Sequence, residues 1–299
     1  MKIRLHRVDA FASEVFRGNP AAVCPLERWL PEGVLQAIAA ENNASETAFL
    51  VPRGGGFDIR WFTPAMEVDL CGHATLASAH VVLGGDPKRE EVRFSSRSGP
   101  LRVTRDGERL RLDLPLREPA RCGPAPPLEL ALGARLSELW AAVDYLAVLG
   151  SEEEVRSLAP DMGRLSALDR TCVIVTAPGR GCDFVCRVFA PAEGIPEDPV
   201  TGSAHCTLVP YWSRRLAKRR LHAVQVSRRG GELSCELAGD RVLISGRAVT
   251  YLVGEIDLPG AVSRTAAAPP APARGCGGTR GASRSGSPPA PRRRRRSGP

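Results

Sequence analysis

Four polar side chains stand at the starts of otherwise apolar segments: Glu46, His73, Asp198 and Ser203. Glu46 lies in Asn42-Asn43-Ala44-Ser45-Glu46-Thr47-Ala48-Phe49, at the mouth of a strand, and His73 opens a helix of small apolar residues. Asp198 and Ser203 frame Pro199-Val200-Thr201-Gly202. A carboxylate and an imidazole near helix N-termini can be tuned toward neutral pH for proton transfer. Each residue also has a plain reading: Glu46 as a solvent-facing strand carboxylate, His73 as a polar cap, Asp198 and Ser203 as helix caps. Gly72 and Gly202 each sit just where a helix begins. A glycine there lets backbone approach a ligand closely, and the free N–H groups of a first turn favour an anionic group. No GxSxG, P-loop or helix-opening GxGxxG occurs, so hydrolase, NTPase and dinucleotide-binding readings find no support.

The elements that must carry these residues read as two copies of one unit. Arg60-Trp61-Phe62-Thr63-Pro64-Ala65 precedes Cys71-Gly72-His73-Ala74, and Arg187-Val188-Phe189-Ala190-Pro191-Ala192 precedes Thr201-Gly202-Ser203-Ala204. Each stretch is a strand, a loop and a helix start. Their shared order indicates an internal duplication, with a site between the two halves gripping one small acidic molecule. Residues 74–83 are apolar nearly all round and predict a helix enclosed by strands, with Gly84 as its stop. Residues 203–212 predict the second enclosed helix. Short strands are expected around both, Pro31 opens a surface helix running to Asn42, and the proline-rich stretch 115–130 reads as a linker.

Lys and Arg number 41 against 33 Asp and Glu, a formal +8. Nine of the arginines, including Arg292 to Arg296, lie in residues 260–299, which leaves 32 basic against 33 acidic side chains before them. The body is therefore near neutral, and nothing else in it favours nucleic acid. The stretch 260–299, rich in Arg, Pro and Gly with few large apolar side chains, is expected to be disordered. Nine cysteines form no zinc-binding spacing, so no metal is expected. No apolar signal segment or run of about 18 apolar residues occurs, which leaves a cytoplasmic, membrane-free setting as the default.

At these residues the chain resembles the phenazine-biosynthesis PhzF-like family. The resemblance is carried by Val8-Asp9-Ala10-Phe11, Gly18-Asn19-Pro20-Ala21-Ala22-Val23, Ser45-Glu46-Thr47-Ala48-Phe49 and Trp61-Phe62-Thr63-Pro64. It continues through Glu67-Val68-Asp69-Leu70-Cys71-Gly72-His73-Ala74-Thr75, Glu197-Asp198-Pro199-Val200-Thr201-Gly202-Ser203-Ala204-His205 and Ser227-Arg228-Arg229-Gly230-Gly231. It implies an α+β, diaminopimelate-epimerase-like fold: two similar domains, each a β-barrel wrapped around a central helix. The expected division is 1–118 and 119–259, the final strand free to pair with the N-terminal domain, followed by the tail. The resemblance also implies a cofactor-independent isomerase moving a proton on a small carboxylic acid such as a dihydro-hydroxyanthranilate. Glu46 would be the moving acid/base, with His73, Asp198 and Ser203 binding or polarising the substrate beside Gly72 and Gly202. A homodimer is compatible with this reading.

Two alternatives remain. The same fold hosts racemases and epimerases with one cysteine at the start of each central helix; here Cys71 fills the first place and Thr201 the second. One thiol cannot serve both faces of a carbon, which favours Glu46 as the base and Cys71 as a packing residue. The other alternative is a binding protein that keeps the cleft without the reaction.

Overall fold

The computed structural model describes residues 1–259, and the tail expected to be disordered lies outside the described residues. The first half runs β1 (Lys2–Ala10), β2 (Asn19–Pro25), α1 (Glu32–Asn42), β3 (Glu46–Arg53), β4 (Gly56–Phe62), β5 (Glu67–Val68), α2 (Gly72–Gly85), β6 (Glu91–Ser96), β7 (Gly99–Asp106) and β8 (Arg109–Pro115). The second runs β9 (Ala120–Arg121), α3 (Pro126–Leu132), β10 (Glu138–Ala141), β11 (Tyr145–Val148), α4 (Glu152–Ser157), α5 (Met162–Ser166), β12 (Val173–Pro178), β13 (Phe184–Ala190) and β14 (Ile195–Asp198). It ends with α6 (Gly202–Leu216), β15 (Arg220–Gln225), β16 (Gly231–Ala238), β17 (Arg241–Gly246) and β18 (Ala248–Asp257). Strands dominate and helices interrupt them, the α+β class expected.

The pairing scheme is written twice. In the first half β2 runs parallel to β3, β3 antiparallel to β4, β4 parallel to β6, and β6, β7 and β8 follow as antiparallel neighbours. In the second, β11 runs parallel to β12, β12 antiparallel to β13, β13 parallel to β15, and β15, β16 and β17 follow antiparallel. The duplication seen in two short motifs therefore extends through the whole order of strands. The halves join where β8 pairs with β17, and β18 returns to pair with β1.

Each half keeps one helix mainly against its own strands, with one strand of the other half added. Helix α2 packs on β1, β2, β3, β6, β8 and β18, and α6 on β15, β16, β17 and β8. The small side chains Ala74, Ala77 and Ala79 are wholly buried with Leu76; bulkier residues would push the strands outward, at a cost of about 1–3 kcal/mol each for overpacking. Helix α2 continues through Gly85 rather than stopping at Gly84; both glycines are exposed, and the ~1 kcal/mol propensity cost of a glycine does not by itself end a helix.

Helix α6 contains Pro210, which has no N–H to give Cys206. The Cys206 carbonyl instead accepts from the backbone N–H of Arg117 at 3.0 Å. The connection between the halves is thereby tied to the helix. That connection is also more structured than a linker: Pro126 and Pro127 occupy the first turn of α3, where the missing N–H costs nothing, and Leu128, Ala131 and Leu132 are buried. The proline richness that suggested a linker marks a helix start.

Candidate active site

The side chains singled out in the sequence converge where α2 and α6 begin. Asn43 adopts a left-handed conformation after α1 (φ 45°), turning the chain into β3, whose first residue is Glu46. Register sets Glu46 opposite Ala21 of β2. His73 is the second residue of α2. Glu46 is 8% and His73 4% exposed, and Glu46 Oε2 lies 2.9 Å from His73 Nε2. The pair lacks the alignment of a hydrogen bond, which leaves this buried carboxylate oxygen without a hydrogen-bond partner. The solvent-facing reading of Glu46 does not describe this residue.

Asp198 ends β14 and is 9% exposed. Its Oδ1 accepts from Asn19 Nδ2 at 2.7 Å, and its Oδ2 accepts from the Thr201 hydroxyl. Asn19 Nδ2 also lies 3.0 Å from His73 Nδ1, so one amide links an acid of the second half to an imidazole of the first. Gln225 fixes the loop from the other side: its Nε2 donates to Asp198 O at 2.7 Å, and its Oε1 accepts from Thr201 N at 2.8 Å. Asp198 is thus held by groups around the loop and does not cap α6, whose N-cap residue is Thr201. Ser203 follows Gly202 in the first turn of α6 and is half-buried.

The repeated arginines steady the loops that lead into the two helices. Arg60 Nε donates to Glu67 Oε1 at 2.6 Å, and Arg187 Nε to Glu197 Oε1 at 2.7 Å. Both pairs are partly buried and forked, the strong form of a charge-assisted bond. A third clamp crosses the halves. Arg229 donates to Gly18 O and to Asp9 Oδ1, each at 2.8 Å. Gly18 is a position only glycine can fill: its φ is +63°, and a β-carbon would fall 2.1 Å from Ala10 O. This turn delivers Asn19.

Burial governs the titration of the group. It pushes the Asp198 carboxyl up to about 6, with Glu46 adding and His73, Thr201 and Asn19 opposing. Burial and then the Glu46 charge push the Cys71 thiol up to about 11. For His73, burial alone lowers the pKa, but negative charge on Cys71 and on Glu46 outweighs it and holds the ring well above its usual value. The thiol is neutral near pH 7, so the Glu46 charge is the part of this opposition to burial that is present there.

Cys71 sits inside the group, buried at the N-cap of α2. Its Sγ is 3.5 Å from His73 Nδ1 and 3.9 Å from Nε2. Glu46, Cys71 and His73 offer donor atoms within 4.8 Å of one another.

Sequence reasoning placed Glu46, Gly72, His73, Asp198, Gly202 and Ser203 and gave no role to Asn19, Gln225, Asp9 or Arg229. Three of these four lie within the quoted motifs, so the signal was present as a turn or strand end. Gln225 lies outside them.

Sequence comparison decides the family. The family described as phenazine biosynthesis-like protein matches residues 8–254. The chain belongs to the phenazine biosynthesis-like family. Two uncharacterized isomerases of Pseudomonas aeruginosa are 50% and 53% identical, over 86% of this chain and all of theirs. A human phenazine biosynthesis-like domain-containing protein is 39% identical over 86% of this chain and 99% of its own. Among solved structures, a PhzF-family protein of Enterococcus faecalis has a TM-score of 0.83 at 50% identity, covering 86% of this chain and all of that one. A hydroxyproline epimerase of Agrobacterium vitis, with a TM-score of 0.55 at 12% identity over 87% and 94%, shares the fold. The epimerase-type fold expected for this phenazine biosynthesis-like chain is the fold found. No helix of the described residues is long and apolar enough to cross a membrane.

Proposed function

We propose that the protein is a cofactor-independent isomerase that moves a proton on a small carboxylic acid of the dihydro-hydroxyanthranilate type, with Glu46 as the acid/base. The observation that carries this reading is the buried Glu46 oxygen that lacks a hydrogen-bond partner, 2.9 Å from His73 Nε2, beside the starts of two helices. A buried carboxylate whose one ion-pair partner among the described residues is an imidazole keeps a lone pair to take a proton from carbon, and a helix start supplies free N–H groups for the substrate's carboxylate. Gly72 and Gly202 give backbone access there, and Ser203 and His73 offer hydrogen bonds. Asp198, protonated more readily than an ordinary aspartate, supports a substrate group that gains negative charge. Glu46 takes the proton from one carbon of a conjugated acid and returns it to another, so that a double bond shifts without net redox change.

Relatives named as isomerases support the general class. A two-base racemase would need a thiol at both helix starts, and Thr201 stands at the second. Because Glu46, His73 and Asp198 are all less than a tenth exposed, substrate enters by a parting of the elements around them. The test is solvent-deuterium incorporation across a panel of anthranilate-like acids and small amino acids. Exchange into a cyclic unsaturated acid with a shifted double bond supports the proposal; exchange confined to the α-carbon of amino acids, with loss of chirality, overturns it.

A further inference from the structure

Asn19 is wholly buried, and its amide nitrogen donates to Asp198 Oδ1 at 2.7 Å and Val200 O at 2.9 Å and lies 3.0 Å from His73 Nδ1. The two oxygens decide which way the amide is turned, because Val200 O can only accept and the charged Asp198 does the same. Turning it over would set oxygen against oxygen twice. In the orientation kept, Asn19 Oδ1 is buried without a hydrogen-bond partner, a destabilising arrangement that the fold bears to aim the NH2 inward.

An imidazole nitrogen facing an NH2 group is favoured as a lone pair and opposed as an N–H. We propose that Asn19 is a positioning residue that sets the tautomer of His73: whenever the ring is neutral, Nδ1 is the unprotonated nitrogen and the proton sits on Nε2, facing Glu46. The groups around the ring agree with this assignment. Glu46 faces Nε2 from β3, Asn19 faces Nδ1 from β2, Cys71 lies beside the ring, and Asp198 from β14 is held by the same Asn19 amide.

The opposite tautomer would put a lone pair on Nε2 against the Glu46 carboxylate, and Glu46 would have to carry the proton itself. Asn19 thus keeps Glu46 free to act as the base. That catalytic consequence rests on the proton-transfer reading; the tautomer does not.

The test is ring 15N chemical shifts on the full chain labelled at its five histidines, with His73→Gln used to identify the His73 signals. In the neutral ring, Nδ1 should show the unprotonated shift and Nε2 the protonated one. Asn19→Asp replaces the inward NH2 by an oxygen, so Nδ1 should become protonated and the ring should titrate on the order of one pKa unit higher. A neutral wild-type ring protonated at Nδ1 overturns the proposal, as does an Asn19→Asp spectrum unchanged from wild type. If Asn19→Asp does not fold, the wild-type tautomer alone decides. No substrate is needed, so failure of the proposed reaction and failure of this assignment are read separately.

Discussion

Gly72 and Gly202, the first residues of α2 and α6, meet backbone to backbone: a β-carbon on Gly72 would lie 3.2 Å from Gly202 Cα, and one on Gly202 3.4 Å from Gly72 Cα. Two helix N-termini, each carrying roughly half a positive charge, are brought together by this contact. An anion nearby relieves their repulsion.

Gly72→Ala is expected to force these ends apart by a few tenths of an ångström, because the obstructing atoms are backbone. Overpacking of this kind costs about 1–3 kcal/mol, offset by at most ~1 kcal/mol of helix propensity. Urea denaturation should show the net loss, and turnover should fall because His73 moves with its neighbour. A variant as stable and active as wild type would show that the helix ends have room.

Glu46→Gln keeps size and hydrogen-bonding capacity and removes the proton-accepting oxygen. Circular dichroism should be unchanged while deuterium exchange into substrate falls by roughly 10²–10⁴-fold. Cys71→Ala should cost much less, since burial pushes that thiol up to about 11 and keeps it un-ionised at neutral pH. An active Glu46→Gln beside a dead Cys71→Ala would sink the acid/base assignment.

The site's own side chains were legible because they break local rules: a glutamate opens a buried strand, and a histidine opens a helix otherwise made of small apolar residues. The two enclosed helices were legible for the related reason that neither leaves a broad polar face. What could not be read was relational. Asn19 is an ordinary turn residue until Arg229, 210 positions later, clamps the turn and β14 presents Asp198 to its amide. Gln225 ends a strand and shows its role only when α6 begins beside it. The stretch 115–170 resisted for another reason: its elements are short, and prolines at the start of α3 imitate a linker.

Asp198 gives the site a pH signature. Its carboxyl stands at about 6 in the folded chain against an ordinary 3.8, so ionising it is harder folded than unfolded. Below about pH 4 both states hold the proton; as pH rises through 6 the unfolded chain ionises first, and stability falls by on the order of 3 kcal/mol. Asp198→Asn removes this slope. Measured by urea denaturation, the variant should gain on wild type between pH 4 and pH 7; a constant gap would mean that the carboxyl is not raised.

His205 supplies the opposite slope. It is wholly buried, one turn into α6, and its Nδ1 donates to Thr201 O at 2.9 Å. Burial pushes its pKa down to about 4 against 6.5. The neutral ring is therefore fully stabilising above pH 6.5, and that contribution, on the order of 3 kcal/mol, is lost as pH falls from 6.5 through 4 because only the unfolded chain takes the proton readily. The duplication suggests the substitution that isolates this term. At the matching place in α2, Thr75 makes the same bond, its Oγ1 donating to Cys71 O at 2.5 Å, with a side chain that does not titrate. His205→Thr should be less stable than wild type at pH 7, because the ring also packs 6.0 Å from Phe184 between centroids. The gap should narrow as pH falls toward 4, since the variant has no buried imidazole to protonate. Thermal unfolding of both proteins across that range checks it: a gap that stays constant would mean that the ring charges as easily folded as unfolded, and that burial does not hold it neutral.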